Sequence, residues 1–152
     1  MTASHVEIRL LAPEDIDLLC SADDDVFDFA VRRDYARAFL AEPHSLIAVA
    51  VDNGCIVGMA SAFTYRHPDK PLQMFINEVG VAKRCHRRGI GRLLIAKILA
   101  AGKARGVAEA WVATEVDNAP ARALYESTGG REDAAQAVVY VYDVASGDGQ
   151  AG

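Results

Sequence analysis

The stretch that decides the reading is Leu72-Gln73-Met74-Phe75-Ile76-Asn77-Glu78-Val79-Gly80-Val81-Ala82, which runs directly into Lys83-Arg84-Cys85-His86-Arg87-Arg88-Gly89-Ile90-Gly91. Its first part is rich in apolar and β-branched residues and reads as one long strand. Its second part packs arginines and glycines together immediately before a helical pattern. From Ile90 the apolar residues fall at 90, 93, 94, 98 and 101, one face of a helix that runs to about Arg105 and stops at Gly106. Strand, basic glycine loop and helix in that order place backbone N–H groups and the positive end of a helix where an anion can approach. Gly89 and Gly91 remove side chains that would keep the anion away from the backbone, and Arg87, Arg88 and Arg92 add charge. The loop lacks the Gly-Lys-Ser/Thr ending of a nucleotide triphosphate site and the third glycine of a dinucleotide fold.

Working outward, residues 6–11 alternate as a first strand should, and Pro13 opens a helix carrying Ile16, Leu19 and Cys20 on one side. A second short helix carries Tyr35, Ala36, Ala38 and Phe39 and ends at Glu42-Pro43. Residues 46–51 and 55–65 flank Asp52-Asn53-Gly54, whose Asn-Gly pair suits a tight hairpin turn. A loop is expected over 66–71, before the long strand. Beyond Gly106, residues 107–114 read as a strand. Asn118 and Pro120 open a helix with Ala121, Leu124, Tyr125 and Thr128 on one face, ended by Gly129-Gly130. A short strand near 130–133, a last strand over 138–144 and a disordered tail from Ala145 complete the expectation.

The chain has 152 residues, 51% of them hydrophobic and 24% charged, which suits one globular domain with a core over about 6–144 and leaves no room for a second. Its longest apolar runs are strand-length, and Arg9 interrupts the first one, so neither a membrane span nor a secretory leader is expected and a cytoplasmic protein follows. Cys20, Cys55 and Cys85 are odd in number and unpaired in spacing, which argues for reduced thiols and against a zinc site. His44 and His67 lack partners at metal spacing, so no metal is expected. A net charge of −5 disfavours nucleic acid. Asp23, Asp24, Asp25 and Asp28 form an acidic segment, whereas Lys83, Arg84, Arg87, Arg88 and Arg92 form a basic one. The pair suggests two ligands of opposite sign, although charge runs are more often simply solvated loops.

Three segments together are specific. Ile76-Asn77-Glu78-Val79-Gly80-Val81, the His86-Arg87-Arg88-Gly89-Ile90-Gly91 loop with Leu93-Leu94, and Asp117-Asn118-Ala119-Pro120-Ala121-Arg122-Ala123-Leu124-Tyr125 resemble the general-control-type N-acetyltransferase superfamily, GNAT. The loop consensus, Gln/Arg-x-x-Gly-x-Gly/Ala, falls on His86, Gly89 and Gly91, with His86 departing from it. The resemblance implies an α/β fold of the GNAT acyl-CoA N-acyltransferase type, with a mixed, mainly antiparallel sheet of six to seven strands and about four flanking helices. Within the superfamily the chain looks most like the aminoglycoside 3-N-acetyltransferase group.

The resemblance makes acetyl-CoA the expected cofactor. Its pyrophosphate is assigned to Arg87, Arg88, Gly89, Ile90, Gly91 and Arg92, and its pantetheine arm to the backbone of Val79, Gly80 and Val81 with Asn118, Ala121 and Tyr125. Asn118 read alone is equally a helix cap. Acetyl transfer to an amine needs a neutral nitrogen, a polarised thioester carbonyl and a proton for the thiolate. Glu78, the one carboxylate of the long strand, is placed by strand alternation beside Met74, Ile76 and Gly80 and is the expected base, acting directly or through water. Tyr125 reads as a packed aromatic by itself, and the resemblance makes it the general acid. Asp25, Asp28, Glu115, Asp117 and Asp143 are the candidates for attracting a cationic amine such as an aminoglycoside or polyamine. A peptide or metabolite amine is the other acceptor class, and a non-catalytic acyl-CoA sensor is the reading outside enzymes. A covalent route through Cys85 is disfavoured, because only His86 stands near it as a base. The resemblance admits a homodimer, with no interface legible in the residues.

Overall fold

The computed structural model describes residues 5–145. Five strands form one sheet in the order β1-β2-β3-β4-β5: β1 is Glu7–Leu10, β2 Ser45–Asp52, β3 Cys55–His67, β4 Lys70–Val81 and β5 Glu109–Val112. The first four are antiparallel neighbours, and β5 joins β4 in parallel. Four α-helices accompany them: α1 Ile16–Cys20, α2 Arg33–Ala41, α3 Ile90–Ala104 and α4 Ala119–Ser127. A parallel neighbour needs a crossover, and α3 is that crossover.

The two hairpins have different causes. Between β2 and β3, Asn53 (φ 51°) and Gly54 (φ 77°) both take positive φ, as a two-residue turn that follows the strands' twist requires. Between β3 and β4 the expected loop over 66–71 is a tight turn instead, with His67 directly opposite Lys70. Pro68 supplies the fixed φ of a turn, and Asp69 takes both the His67 ring and the Lys70 ammonium, the latter at 2.9 Å. The strands therefore run further than their apolar content suggests.

One side of the sheet is covered by α3, which buries Ile90, Leu94, Ile95 and Ile98 against β2, β3 and β4. Burial of each such side chain stabilises the fold by about 1.5–3 kcal/mol. A glycine on each element permits the close approach: Gly58 of β3 faces Ile90 and Leu94 at 3.2 Å from an added Cβ, and Gly102 of α3 faces Met74 at 2.8 Å. The stripe expected on α3 is rotated by a fraction of a turn, since Leu93 is exposed and Ile95 and Gly102 are buried in its place. On α2, Ala36 is buried and Phe39 half-buried, while Tyr35 lies outside the core with the Arg32 guanidinium 3.9 Å above its ring.

Two expected strands do not form. Residues 130–133 and 138–144 make no ladder, so the sheet has five strands rather than six or seven. Alternation and β-propensity specify that a segment can be a strand but not which edge it meets, and an isolated strand has nothing to hold it. Near the first of these, Glu132 instead holds Arg122 of α4 at 2.8 Å. The expected disordered tail lies, beyond Ala145, outside the described residues.

Candidate active site

The ladder between β4 and β5 ends at Ile76 opposite Val112, but β4 continues to Val81 along β3. From Asn77 onward the outer edge of β4 is therefore turned to a cleft of about 450 Å³. The splay has a local cause. Ile76 lies opposite Ala62 and Glu78 opposite Ser61, so Asn77 is an extra residue on β4, a β-bulge that bends the strand.

The bulge also reverses a side-chain assignment. Met74 and Ile76 face α3, as does Gly58 on the neighbouring strand. Gly58 is paired with Val81 and Met59 with Gly80, so Gly80 and, two residues earlier, Glu78 face the opposite side. Glu78 thus shares its face with Gly80, as alternation suggests, but not with Met74 and Ile76, because the inserted residue shifts the parity by one. Its carboxylate lines the cleft and is exposed there rather than held in the apolar core.

The opposite wall comes from α4. Asn118 caps the helix, its Oδ1 accepting from the Ala121 N–H at 3.2 Å, and so fixes where the first turn begins. Tyr125 follows on the same side, lines the cleft and is half-buried; burial pushes its phenol pKa above the ordinary tyrosine value. A phenol so placed keeps its proton at neutral pH.

Beyond β4 the chain makes a 3-10 turn, Lys83–Cys85, and then a loop with two left-handed residues, Arg87 (φ 64°) and Gly89 (φ 73°), before α3 begins at Ile90. Left-handed residues in a loop can turn backbone N–H groups toward a common point, and here they stand directly before the unpaired N–H groups of the helix start. His86 Nε2 lies 2.8 Å from the Val81 carbonyl oxygen, so the residue that departs from the motif ties the loop back to β4. Gly91 has another reason to be small: a Cβ there would lie 3.3 Å from the Leu124 side chain, where α3 meets α4. Ile90 is buried against Gly58, so only its backbone faces the loop.

The acidic and basic segments meet each other. Asp23 accepts from Arg84 Nε at 2.7 Å and Asp25 from the Lys83 N–H at 2.9 Å, which pins the acidic loop across the end of β4. Arg88 lies 3.8 Å from the buried Asp52 and donates to Cys85 Sγ at 3.6 Å. Part of the charge read as two ligand patches is thus spent within the fold, while Arg87 and Arg92 stand exposed. Cys85 is itself buried, which removes it as an accessible nucleophile.

One cleft therefore gathers Asp25, Asp28, Glu78, Val79, Gly80, Val81, Asn118, Ala121 and Tyr125. Arg88, Gly89 and Arg92 line a neighbouring groove between α3 and the end of α4, with Leu93 and Leu99 on its floor. Glu115, Asp117 and Asp143 line neither. The first two lie in the turn leading to α4, and Asp143 lies in the segment that makes no ladder. Sequence reasoning missed Asn77, Met59, Ala113 and Thr114 as cleft residues. Nothing in their types marks them, since the bulge and the β4/β5 splay place them there.

Chemically, an open strand edge can pair with an amide-bearing ligand, a nest of N–H groups beside arginines can face an anion, and a carboxylate across from a protonated phenol can move protons. Residues 15–130 match the acetyltransferase (GNAT) family. No curated protein sequence matches the chain. Among solved structures, the aminoglycoside acetyltransferase HMB0005 from an uncultured soil metagenomic sample is 27% identical, with a TM-score of 0.72 over 91% of this chain and 99% of its own. The aminoglycoside acetyltransferase meta-AAC0020, also from an uncultured soil sample and solved with sisomicin, is 20% identical, with a TM-score of 0.78 over 91% and 96%. Aminoglycoside N-acetyltransferase AAC(6')-Iy, solved with CoA, is 20% identical, with a TM-score of 0.74 over 93% and 97%. The family match assigns this chain to the GNAT acetyltransferases, as an N-acetyltransferase that uses acetyl-CoA, and the fold agrees with it.

Proposed function

We propose that the protein transfers the acetyl group of acetyl-CoA to a primary amine of an aminoglycoside by direct attack. The observation that carries this reading is the convergence of Asp25, Asp28 and Glu78 in the same cleft as Tyr125. A multiply charged ammonium ligand is drawn to such a wall of carboxylates. The solved structures of similar fold, which bear aminoglycoside acetyltransferase names, add support.

The residues present fit the cofactor. The open edge of β4 at Val79–Val81 suits pairing with the pantetheine amides, and Asn118 and Ala121 border that path. The left-handed turn at Arg87 and Gly89, the start of α3 and the exposed Arg87 and Arg92 suit its pyrophosphate, with Arg88 acting through the loop it braces. When bound, acetyl-CoA supplies an activated thioester. The chain does the rest. Glu78 takes the ammonium proton, directly or through a water, so that the nitrogen becomes nucleophilic. The N–H of Val79 polarises the thioester carbonyl, and the Tyr125 phenol, kept protonated by burial, returns a proton to the departing sulfur.

The acetylated position we assign is the 3-amine, on the sequence resemblance. The named structural relative AAC(6')-Iy points to the 6′ position, so the product's regiochemistry separates the two. The test is an acceptor panel of aminoglycosides, polyamines, peptide N-termini and lysine peptides with purified protein, followed by NMR of the product. Turnover of an aminoglycoside supports the reading; turnover of only a peptide or metabolite amine overturns the acceptor. Binding of acetyl-CoA with no turnover of any amine overturns catalysis in favour of a sensor.

A further inference from the structure

A charge seldom lies in a protein interior unless something offsets it. Among the described residues, Asp52 is the one charged side chain that is buried, at 6% exposure. It is the last residue of β2, directly before the Asn53-Gly54 turn. Ala50 lies opposite Gly58 and Val51 opposite Ile56, so the extra residue of this hairpin is Val57, on β3. Alternation along β2 is therefore unbroken, and Asp52 shares a side with Ala50 and with Gly58, against which Ile90 and Leu94 of α3 pack. The carboxylate thus stands on the α3 side of the sheet, at the end where the helix begins. The basic loop starts against the same hairpin, since the Ala82 N–H donates to the Val57 carbonyl at 2.8 Å.

Two arginines of that loop feel this carboxylate. Asp52 Oδ2 lies 3.8 Å from Arg88 Nη1, a charge pair rather than a hydrogen bond. Arg84, whose pKa is held up first by Asp23, is raised by Asp52 as well. Arg88 has the more telling position, because it stands between the two left-handed residues, Arg87 (φ 64°) and Gly89 (φ 73°). A left-handed arginine is unfavourable for the backbone, so the loop needs an anchor. Arg88 supplies one: its side chain reaches inward to Asp52 and to the buried Cys85 Sγ, while Arg87 and Arg92 stay exposed.

Resting on the reading that this loop receives the pyrophosphate of acetyl-CoA, we infer that Asp52 is a positioning residue of the cofactor site. Through Arg88 it sets the backbone of residues 87–89 in place before the cofactor arrives. Two effects of the carboxylate oppose each other. Its charge repels an anion at the loop, and its hold on Arg88 removes an ordering cost that binding would otherwise bear. The second prevails, because the paired guanidinium offsets the carboxylate's charge, whereas no other charge is needed for the loop to stay ordered. The pair lies at the edge of the core, where salt screens it less than it screens the exposed Arg87 and Arg92. Arg87 and Arg92 are then the charges that meet the phosphates, and Asp52 with Arg88 is the brace behind them. Neither role depends on which amine is acetylated.

The test uses the full chain and two probes, acetyl-CoA and S-acetylpantetheine, which carries the same thioester arm without the pyrophosphate. Calorimetry gives the affinities, and urea unfolding checks the fold. Asp52→Asn is expected to weaken acetyl-CoA binding about tenfold and S-acetylpantetheine binding by less than about twofold. Asp52→Glu keeps the charge and is expected to recover most of the loss. In the ligand-free protein, amide hydrogen exchange at residues 87–91 is expected to quicken in Asp52→Asn. Arg88→Met carries the same expectation should Asp52→Asn fail to fold, and in the double variant the two losses should not add. Acetyl-CoA bound by Asp52→Asn as tightly as by the parent, or more tightly because a freed arginine meets the phosphates, overturns the proposal. Equal losses for both probes, no recovery in Asp52→Glu, or full additivity overturns it too. Arg87→Gln and Arg92→Gln test the loop itself. If they weaken acetyl-CoA selectively and Asp52→Asn does not, only the role of Asp52 is overturned; if no variant does, the pyrophosphate assignment is overturned with it.

Discussion

The carbonyl oxygen of Val26 occupies the space in which Gly80 would carry a side chain: a Cβ added there would lie 2.2 Å from that oxygen and 3.3 Å from the carbon bearing it. Val26 is buried, and the acidic loop it belongs to is tied to the end of β4 through Asp25 and Asp23. Gly80 is thus glycine because a second piece of backbone rests on it, in addition to any room it leaves on the open strand edge.

Gly80→Ala is accordingly expected to lift the loop that carries Asp25 and Asp28. The clash is with backbone, which cannot rotate away, so a loss of about 1–3 kcal/mol of stability is expected. Urea unfolding measures it. Acceptor KM should rise more than acetyl-CoA affinity falls, since the loop lines the cleft through Asp25 and Asp28, the carboxylates proposed to draw in the amine.

Glu78→Gln keeps size and hydrogen bonding but cannot take a proton. We expect kcat to fall by about 10²–10⁴-fold with acetyl-CoA affinity unchanged, measured by steady-state kinetics and calorimetry. Because the Asn77 bulge turns Glu78 away from the core, the variant should unfold at the same denaturant concentration as the parent. A large stability change would instead assign Glu78 a structural role.

Tyr125→Phe removes the phenol and leaves the ring. Burial raises the pKa of this phenol, so the protonated form persists past the ordinary tyrosine value of about 10. The alkaline fall in kcat caused by losing this proton is thus expected above about pH 10 and should be absent from the variant. At neutral pH the variant's kcat is expected to be about a hundredfold lower.

Asp15 gives the fold a pH dependence. The Ala12 N–H, 2.7 Å from its carboxylate, and then the Arg9 guanidinium at 2.6 Å, hold its pKa below the ordinary value despite desolvation. A folded pKa lower than the unfolded one stabilises the native state above about pH 4, and this contribution fades as pH falls through the folded value. Asp15→Asn should therefore lower the urea midpoint at neutral pH, and the difference from the parent should close in strong acid.

Much of the framework of the candidate site was legible from residue order alone. The basic glycine loop between a strand and a helix, the Asn118 cap and the Tyr125 stripe depend on neighbours within a few positions, and all appear where local pattern puts them. The side of β4 on which Glu78 stands was not legible, because a single extra residue at Asn77 inverts the parity that alternation assumes. Of the acidic candidates, Asp25 and Asp28 reach the cleft and Glu115, Asp117 and Asp143 do not, since a carboxylate's type says nothing of where its loop docks.

The sequence by itself determined the order of elements as far as α4, the turn at Asn53-Gly54 and the family, because periodicity, turn chemistry and motif spacing are properties of adjacent residues. Only the tertiary structure decided that the acidic and basic segments partly neutralise each other, that Gly80 seats Val26, and that β4 parts from β5 at Ile76 to leave an open edge. It also left residues 138–144 without a ladder. A strand's propensity is local, whereas its partner is fixed by contacts between distant parts of the chain.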